Sequence, residues 1–162
     1  MGIISQVPDF FQGTVIDNII MDHYTEEDRE KLIIFLDGLG IDSYIKKMDQ
    51  GYDTIVGEDG SNISGGQRQI ISFARVLYKK PKFLILDEAT SAMDRKTEKF
   101  FINLISQLKN DIPVLYITHR LDTLKNFADK IYVMEDGEIT RYGNHQTLLK
   151  TDNLYSQYHL AC

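Results

Sequence analysis

Residues able to do chemistry are concentrated between Ser61 and Asp94, SNISGGQRQIISFARVLYKKPKFLILDEATSAMD. Ser64, Gly65, Gly66 and Gln67 put a hydroxyl and bare backbone N–H groups at the start of a helix predicted to run to about Tyr78. Glycines let a ligand approach the backbone closely, and unpaired N–H groups with the helix dipole attract an anion by roughly 0.3–1 kcal/mol each. The same pattern also describes an ordinary Ser-capped helix after a turn. Asp87 and Glu88 follow the apolar run Phe83, Leu84, Ile85 and Leu86. That run predicts a parallel strand buried on both faces, with the two acids emerging at its carboxyl end. Ligands of open α/β sheets bind at that end. One carboxylate there can hold Mg²⁺ through water while its neighbour orients or deprotonates an attacking water. A strand followed by a solvated acidic turn is the bland alternative.

These groups need elements to position them. Ile70, Ile71, Phe73, Ala74, Val76 and Leu77 recur at three- and four-residue spacing, with Arg68, Gln69, Lys79 and Lys80 outside the stripe, which predicts the helix after Ser64. Gly2 to Ile4 read as the end of a strand, leaving Gln6 at or just past its carboxyl end. Thr14 is expected to cap a short helix that buries Val15, Ile16, Ile19 and Ile20. A second helix spans Thr25 to Leu39, opening on Thr25-Glu26-Glu27-Asp28, a capping-box-like start, and a third covers Asp42 to Met48. Thr54 to Gly60 is a Gly/Asp turn.

Beyond Asp94, Phe100, Phe101, Leu104, Ile105 and Leu108 give the stripe of a helix over Lys96 to Leu108. The strand Ile112 to Thr118 then ends at His119, which taken alone could be a plain surface residue. Ile131 to Met134 and Glu138 to Tyr142 bracket Asp136-Gly137, a hairpin signal. A last helix, about Asn153 to Ala161, is expected to pack Leu154, Tyr155, Tyr158 and Leu160 on the core. His145 reads as structural, His23 and His159 as surface residues.

At 162 residues with a formal charge of -6, one globular domain is the default, and nucleic acid or anionic lipid is disfavoured as the main partner. A nucleotide remains compatible, because such sites work through local N–H groups, Mg²⁺ and a few cations. Cys162 is the only cysteine, which excludes an internal disulfide and fits a reducing cytosol. No run approaches the roughly eighteen apolar residues a membrane span needs, and Met1 to Gln12 lacks a signal-peptide pattern. The chain is expected to be soluble by itself or to be part of something membrane-bound.

Together these residues resemble the nucleotide-binding domain of ATP-binding cassette (ABC) transporters. Ile63 to Gln67 is similar to the family signature, with Ile63 for the usual Leu, and Phe83 to Asp87 to the Walker B strand. Glu88 resembles the catalytic glutamate, and Ser91-Ala92-Met93-Asp94 the D-loop, with Met93 for Leu. Gln6 with Val7, Pro8, Phe10, Phe11, Gln12, Gly13 and Thr14 resembles the Q-loop, His119 the H-loop, and Gly143-Asn144-His145 the closing helix. The stretch around Glu58 looks like the X-loop of the exporter branch.

The resemblance implies an α/β fold: a P-loop NTPase-like (RecA-like) core with a parallel sheet lacking its N-terminal strands, plus an inserted α-helical subdomain. Residues 1–12 would be the Q-loop strand and loop, 13–80 the helical subdomain with the signature, and 81–162 the C-terminal half of the catalytic core. It implies ATP and Mg²⁺ as cofactors, with Asp87 and Gln6 on the metal and Glu88, His119 and Gln6 catalytic. Ser64, Gly65, Gly66, Gln67 and Asp94 would contact nucleotide held by a partner. The implied partners are a second nucleotide-binding domain and an exporter's transmembrane domain, reached through the Gln6 loop, the helical subdomain and Glu58. The implied address is the cytoplasmic face of the cell membrane.

One expected motif is absent. A P-loop, G-x-x-x-x-G-K-[ST], occurs nowhere; Gly60 to Gly65 has the glycine spacing, but Gly66 and Gln67 stand where Lys and Ser/Thr should. The chain is therefore read as the carboxyl-terminal two-thirds of a cassette, inactive alone. With sheet neighbours missing, an apolar edge or face should lie uncovered and favour self-association as a dimer or higher oligomer. The alternative reading is a non-catalytic, regulatory module that binds a membrane domain or an intact cassette. A chromosome-maintenance ATPase with a similar signature is disfavoured, because Gly13 to Lys80 contains no heptad run.

Overall fold

The computed structural model describes residues 1–125 and 127–160. Ala161, the expected end of the last helix, and Cys162 lie outside the described residues. The chain divides into two compact units, Met1–Ile117 and Thr118–Cys162. Among the described residues no helix is long and apolar enough to cross a membrane.

In the first unit the order is β1 (Gly2–Ile4), β2 (Gly13–Thr14), α1 (Val15–Ile20), α2 (Glu26–Gly38), α3 (Asp42–Ile45), β3 (Ile55–Val56), α4 (Gly65–Tyr78), β4 (Leu84–Asp87), α5 (Arg95–Leu108) and β5 (Val114–Ile117). Helix starts follow local chemistry. Thr14, Thr25 and Ser64 each accept a hydrogen bond from the backbone three residues on, and Asp17, Asp28 and Gln67 reciprocate, giving three capping boxes. α1 ends at Met21, whose backbone turns left-handed. The predicted third helix is shorter than expected, ending at Ile45. β2 and β3 pair antiparallel, β3 lying where only a turn was expected.

Helix α4 is the axis of this unit. Ile71, Phe73 and Ala74 are fully buried, as are Val15, Ile16 and Ile19 of α1, Leu32 and Leu36 of α2, and Ile45 of α3. Each such side chain contributes about 1.5–3 kcal/mol. Phe73 meets Phe101 of α5 with ring centroids 4.2 Å apart. Lys80 adopts φ 47° just before Pro81, which closes the helix.

β1, β4 and β5 form a parallel sheet in the order β1-β4-β5, with Ile3 opposite Ile85 and Ile85 opposite Leu115. Alternation puts Ile4, Leu84 and Leu86 on a fully buried face, while Ile3, Leu115 and Ile117 on the other are about half exposed. The expectation that β4 is buried on both faces is thus corrected. A continuous apolar run reports that both faces avoid water, but the covering must come from other elements, and one face here has none within its unit.

The second unit contains α6 (Leu121–Leu124), β6 (Ile131–Glu135), β7 (Glu138–Gly143), α7 (His145–Leu148) and α8 (Leu154–Leu160). β6 and β7 pair as the hairpin foreseen, turning through Asp136 and Gly137, both at positive φ. Asn144 caps α7. The inward face of α8 departs from expectation: Tyr155 and Ser156 are buried, whereas Leu154 and Leu160 are exposed. His159 is not a surface residue. Its side chain is 11% exposed, with ring centroids 4.6 Å from Tyr155 and 5.3 Å from His145, and burial lowers its pKa. The aromatic cluster takes the inward place because these rings supply more apolar area than Leu154 could.

Candidate functional site

Parallel strands share one carboxyl edge, so β1 and β4 deliver Gln6 and the acids Asp87 and Glu88 to the same end of the sheet. Asp87 is exposed there as the last residue of β4. Glu88 then leaves the strand with φ 47°, a left-handed backbone that disfavours a non-glycine residue by roughly 1–2 kcal/mol. Its N–H donates to Ile117 O (2.9 Å) and its carbonyl accepts from Ser91 N (2.9 Å), which fixes that turn from both sides. The Gln6 amide Nε2 donates to Glu88 Oε2 at 2.9 Å. An amide used this way keeps its oxygen as an acceptor for a cation or water.

The loop carrying Gln6 is held by α4 and α1. Gln69 Nε2 donates to the carbonyls of Gln6 (2.7 Å) and Ser5 (3.3 Å). Further along, Arg75 donates from Nη1 to Asp9 O (2.9 Å) and from Nε to Asn18 O (2.6 Å), with its guanidinium 5.0 Å from the centre of the Phe10 ring. Burial pushes the Arg75 pKa down. Asn18, fully buried, donates to Phe11 O (3.0 Å) and Thr14 O (3.1 Å) and accepts from Phe11 N. Sequence reading placed Gln69 outside the apolar stripe and missed Arg75 and Asn18. Gln69 is 1% exposed. The signal was present in the spacing: Gln69 stands four residues before Phe73, one turn up the buried face.

At the start of α4, Ser64 Oγ accepts from Gln67 N (3.2 Å) and Gln67 Oε1 accepts from Ser64 N (2.8 Å). Both side chains, expected as nucleotide contacts, are therefore part of the cap. The helical ladder opens with Arg68 N donating to Ser64 O (2.9 Å), so Gly65 and Gly66 present the first amides of the helix. The first turn carries no acid. A Cβ on Gly65 would lie 2.8 Å from the Ala92 Cβ, and one on Gly66 3.6 Å from the Ala92 carbonyl. The glycines thus admit the Ser91-Ala92-Met93-Asp94 turn against the helix start. Asp94 caps α5, accepting from Lys96 N (2.9 Å), Thr97 N (3.0 Å) and Thr97 Oγ1 (2.8 Å), and these bonds hold its carboxyl below the usual range.

The first unit therefore brings Gln6, Asp87 and Glu88 to one sheet edge and sets the glycine turn against the Ala92 turn. His119 belongs to the second unit, exposed two residues beyond β5, and Glu58 is exposed after β3. Among the described residues no three His, Cys, Asp or Glu side chains gather as a metal site. Mg²⁺ on a nucleotide needs only one or two carboxylates besides phosphate oxygens. An exposed Asp87, a Gln6 amide oxygen and glycine amides at a helix start suit such a group.

Three comparisons bear on this arrangement. The family model described as ABC transporter matches residues 1–91. The ATP-dependent lipid A-core flippase of Haemophilus influenzae (strain ATCC 51907 / DSM 11121 / KW20 / Rd) is 40% identical over 158 residues, 98% of this chain and 27% of that protein. The flippase of the same name from Legionella pneumophila (strain Lens) is 42% identical over 157 residues, 97% of this chain and 26% of that one. The solved structure of a bacterial Atm1-family ABC exporter with ATP bound superposes with a TM-score of 0.87 at 34% identity, covering 99% of this chain and 28% of that one. The chain spans about a quarter of the length of the curated relatives it matches.

Proposed function

The chain belongs to the ABC transporter family, and on that premise we propose that it supplies the signature, Q-loop and acidic-strand parts of an exporter's ATP-hydrolysing cassette. The observation that carries the reading is the Gln6 amide on the Glu88 carboxylate at the carboxyl edge of the parallel sheet, 2.9 Å apart. In this reading residues 13–80 form the helical subdomain, and 1–12 with 81–162 form the core.

Glu88 orients and deprotonates the attacking water, and Gln6 fixes the Glu88 carboxylate for that task. Asp87 and the Gln6 oxygen would hold Mg²⁺, which when bound neutralises phosphate charge. Gly65 and Gly66 would offer amides to the triphosphate held by a partner cassette, with Ser64 and Gln67 keeping the helix start in shape. Asp94 anchors the turn that Gly65 abuts. His119 would contact the γ-phosphate and the water. Alone the chain is expected to be inactive, because its 162 residues contain no G-x-x-x-x-G-K-[ST].

Partners follow from the same reading: a second cassette across the glycine turn, and a transmembrane domain at the cytoplasmic face of the membrane. Val7 and Phe11 of the Gln6 loop are exposed, as is Glu58, which supports a role in that contact. The half-exposed Ile3, Leu115 and Ile117 support self-association of the chain. The relatives are a lipid A-core flippase and an Atm1-family exporter, so likeness at this level speaks for export and leaves the cargo unassigned.

Calorimetry with Mg²⁺-ATP tests the proposal, on the chain alone and after joining it to the P-loop-bearing segment of the Haemophilus influenzae relative. The expected result is no binding alone, then binding and turnover in the joined protein, with Glu88→Gln lowering turnover about 100-fold or more. Turnover insensitive to that substitution overturns the assignment of Glu88. Tight binding by the chain alone overturns the claim of inactivity.

A further inference from the structure

Just beyond its first turn, α4 carries an amide on its buried face. Gln69 is 1% exposed. Its Nε2 faces two acceptors, the carbonyls of Gln6 and Ser5, so only the NH₂ group fits there and the orientation of the amide is determined. The consequence is a buried Oε1 with no hydrogen-bond partner among the described residues. A hydrocarbon of the same length would fill this space without that orphan, so what the amide adds here is what its donors hold.

What they hold is the backbone of the residue whose side chain reaches Glu88. The Gln6 side chain is exposed, so its direction depends on its own backbone and not on packing. At the other end of the contact, Glu88 is already fixed by its bond to Ile117 O. The freedom in the Gln6–Glu88 pair therefore lies on the Gln6 side. Gln69 stands five residues after Ser64, on the same rigid helix whose first amides belong to Gly65 and Gly66.

We propose that Gln69 is a positioning residue: it fixes the Ser5–Gln6 backbone so that the Gln6 amide stays on the Glu88 carboxylate, coupling the glycine-turn helix to the acid of its own chain. The inference rests on the reading of Gln6 and Glu88 as residues of the ATP site. It gives α4 two ends of one lever. A displacement of the helix start is passed through a single buried amide to the group that orients Glu88.

The test uses the full chain with ¹⁵N-labelled glutamine side chains and no nucleotide. The Gln6 side-chain resonance is assigned by its loss in Gln6→Ala, and its position when released from the carboxylate is read in Glu88→Ala. In Gln69→Met, which keeps the volume and removes both donors, the unfolding midpoint should match the original chain. The Gln6 resonance should move to the released position, and its exchange with water should rise about tenfold. Ser72→Ala removes another buried polar group from the same helix and should leave Gln6 untouched. An unmoved Gln6 resonance in Gln69→Met overturns the proposal, and so does an equal shift in Ser72→Ala. If Gln69→Met does not fold, the unmodified chain decides: its Gln69 side-chain amide must be protected from exchange and show nuclear Overhauser contacts to Ser5 and Gln6, and a freely exchanging amide overturns the proposal. Failure here leaves the ATP reading intact because no nucleotide is present. A joined protein without turnover would overturn that reading while leaving this contact in place.

Discussion

Helices α4 and α5 have equal length, 14 residues each, and their starts meet where Gly65 abuts Ala92, yet they close their N-termini in opposite ways. α5 is capped by an anion of its own: the Asp94 carboxylate takes the amides of Lys96 and Thr97 together with the Thr97 hydroxyl. α4 is capped by the neutral Ser64 and Gln67, has no acid in its first turn, and begins with two glycines. The same partial positive charge meets an internal anion at one helix and none in the first turn of the other. In the function proposed above, that difference is what marks the start of α4 as the binding one, more than the presence of Ser and Gly does.

The largest effect is expected from filling the gap between the two starts. Gly65→Val puts branched carbons where even a Cβ is 2.8 Å from Ala92, so the turn must move. Turnover of the joined protein should fall about 100-fold or more, with the loss of stability of about 1–3 kcal/mol usual for overpacking. Near-normal turnover would mean that the two starts need not touch. An intermediate effect should come from giving α4 the cap of α5. Ser64→Asp should raise the unfolding midpoint slightly while weakening Mg²⁺-ATP binding by the joined protein about tenfold, because the helix then supplies its own anion. If affinity rises with stability, the start of α4 is not an anion site.

The smallest effect separates the two caps by pH. Hydrogen bonds from Thr97 and Lys96 lower the Asp94 pKa from its model-compound value of 3.8. The contribution of this cap is therefore present above the unfolded value and is lost as pH falls through the lowered folded value, in a window below about pH 4. The Ser64 cap does not titrate. On acidification, amide shifts at Lys96 and Thr97 should report fraying of α5 before Gln67 and Arg68 report any change in α4; the reverse order would contradict the assignment.

Much of this was legible because it is local. A Thr or Ser three residues before Asp or Gln names a capping box, Asp136-Gly137 names a hairpin, and the acids after Leu86 fall at a strand's carboxyl end, all within a few residues of chain. The clamp on the Gln6 loop was not legible in the same way. Gln69 and Arg75 are bonded mainly to backbone carbonyls more than 50 residues away, and any residue type supplies a carbonyl. The missing sheet neighbours pointed to an uncovered apolar face, and Ile3, Leu115 and Ile117 provide one; the mostly covered ring of His159 was missed because which side of an element is covered is decided by distant segments, whereas periodicity records only that a side avoids water.

The left-handed backbone at Glu88 has a practical consequence for engineering. Asn or Gly suits φ 47° better than Glu does, so a screen for heat-resistant variants would be drawn to this position. Either replacement would also delete the carboxylate that Gln6 grips. If Glu88 carries the role proposed above, stability and activity pull against each other at one residue, and a variant improved there would be a sturdier protein with a silent site.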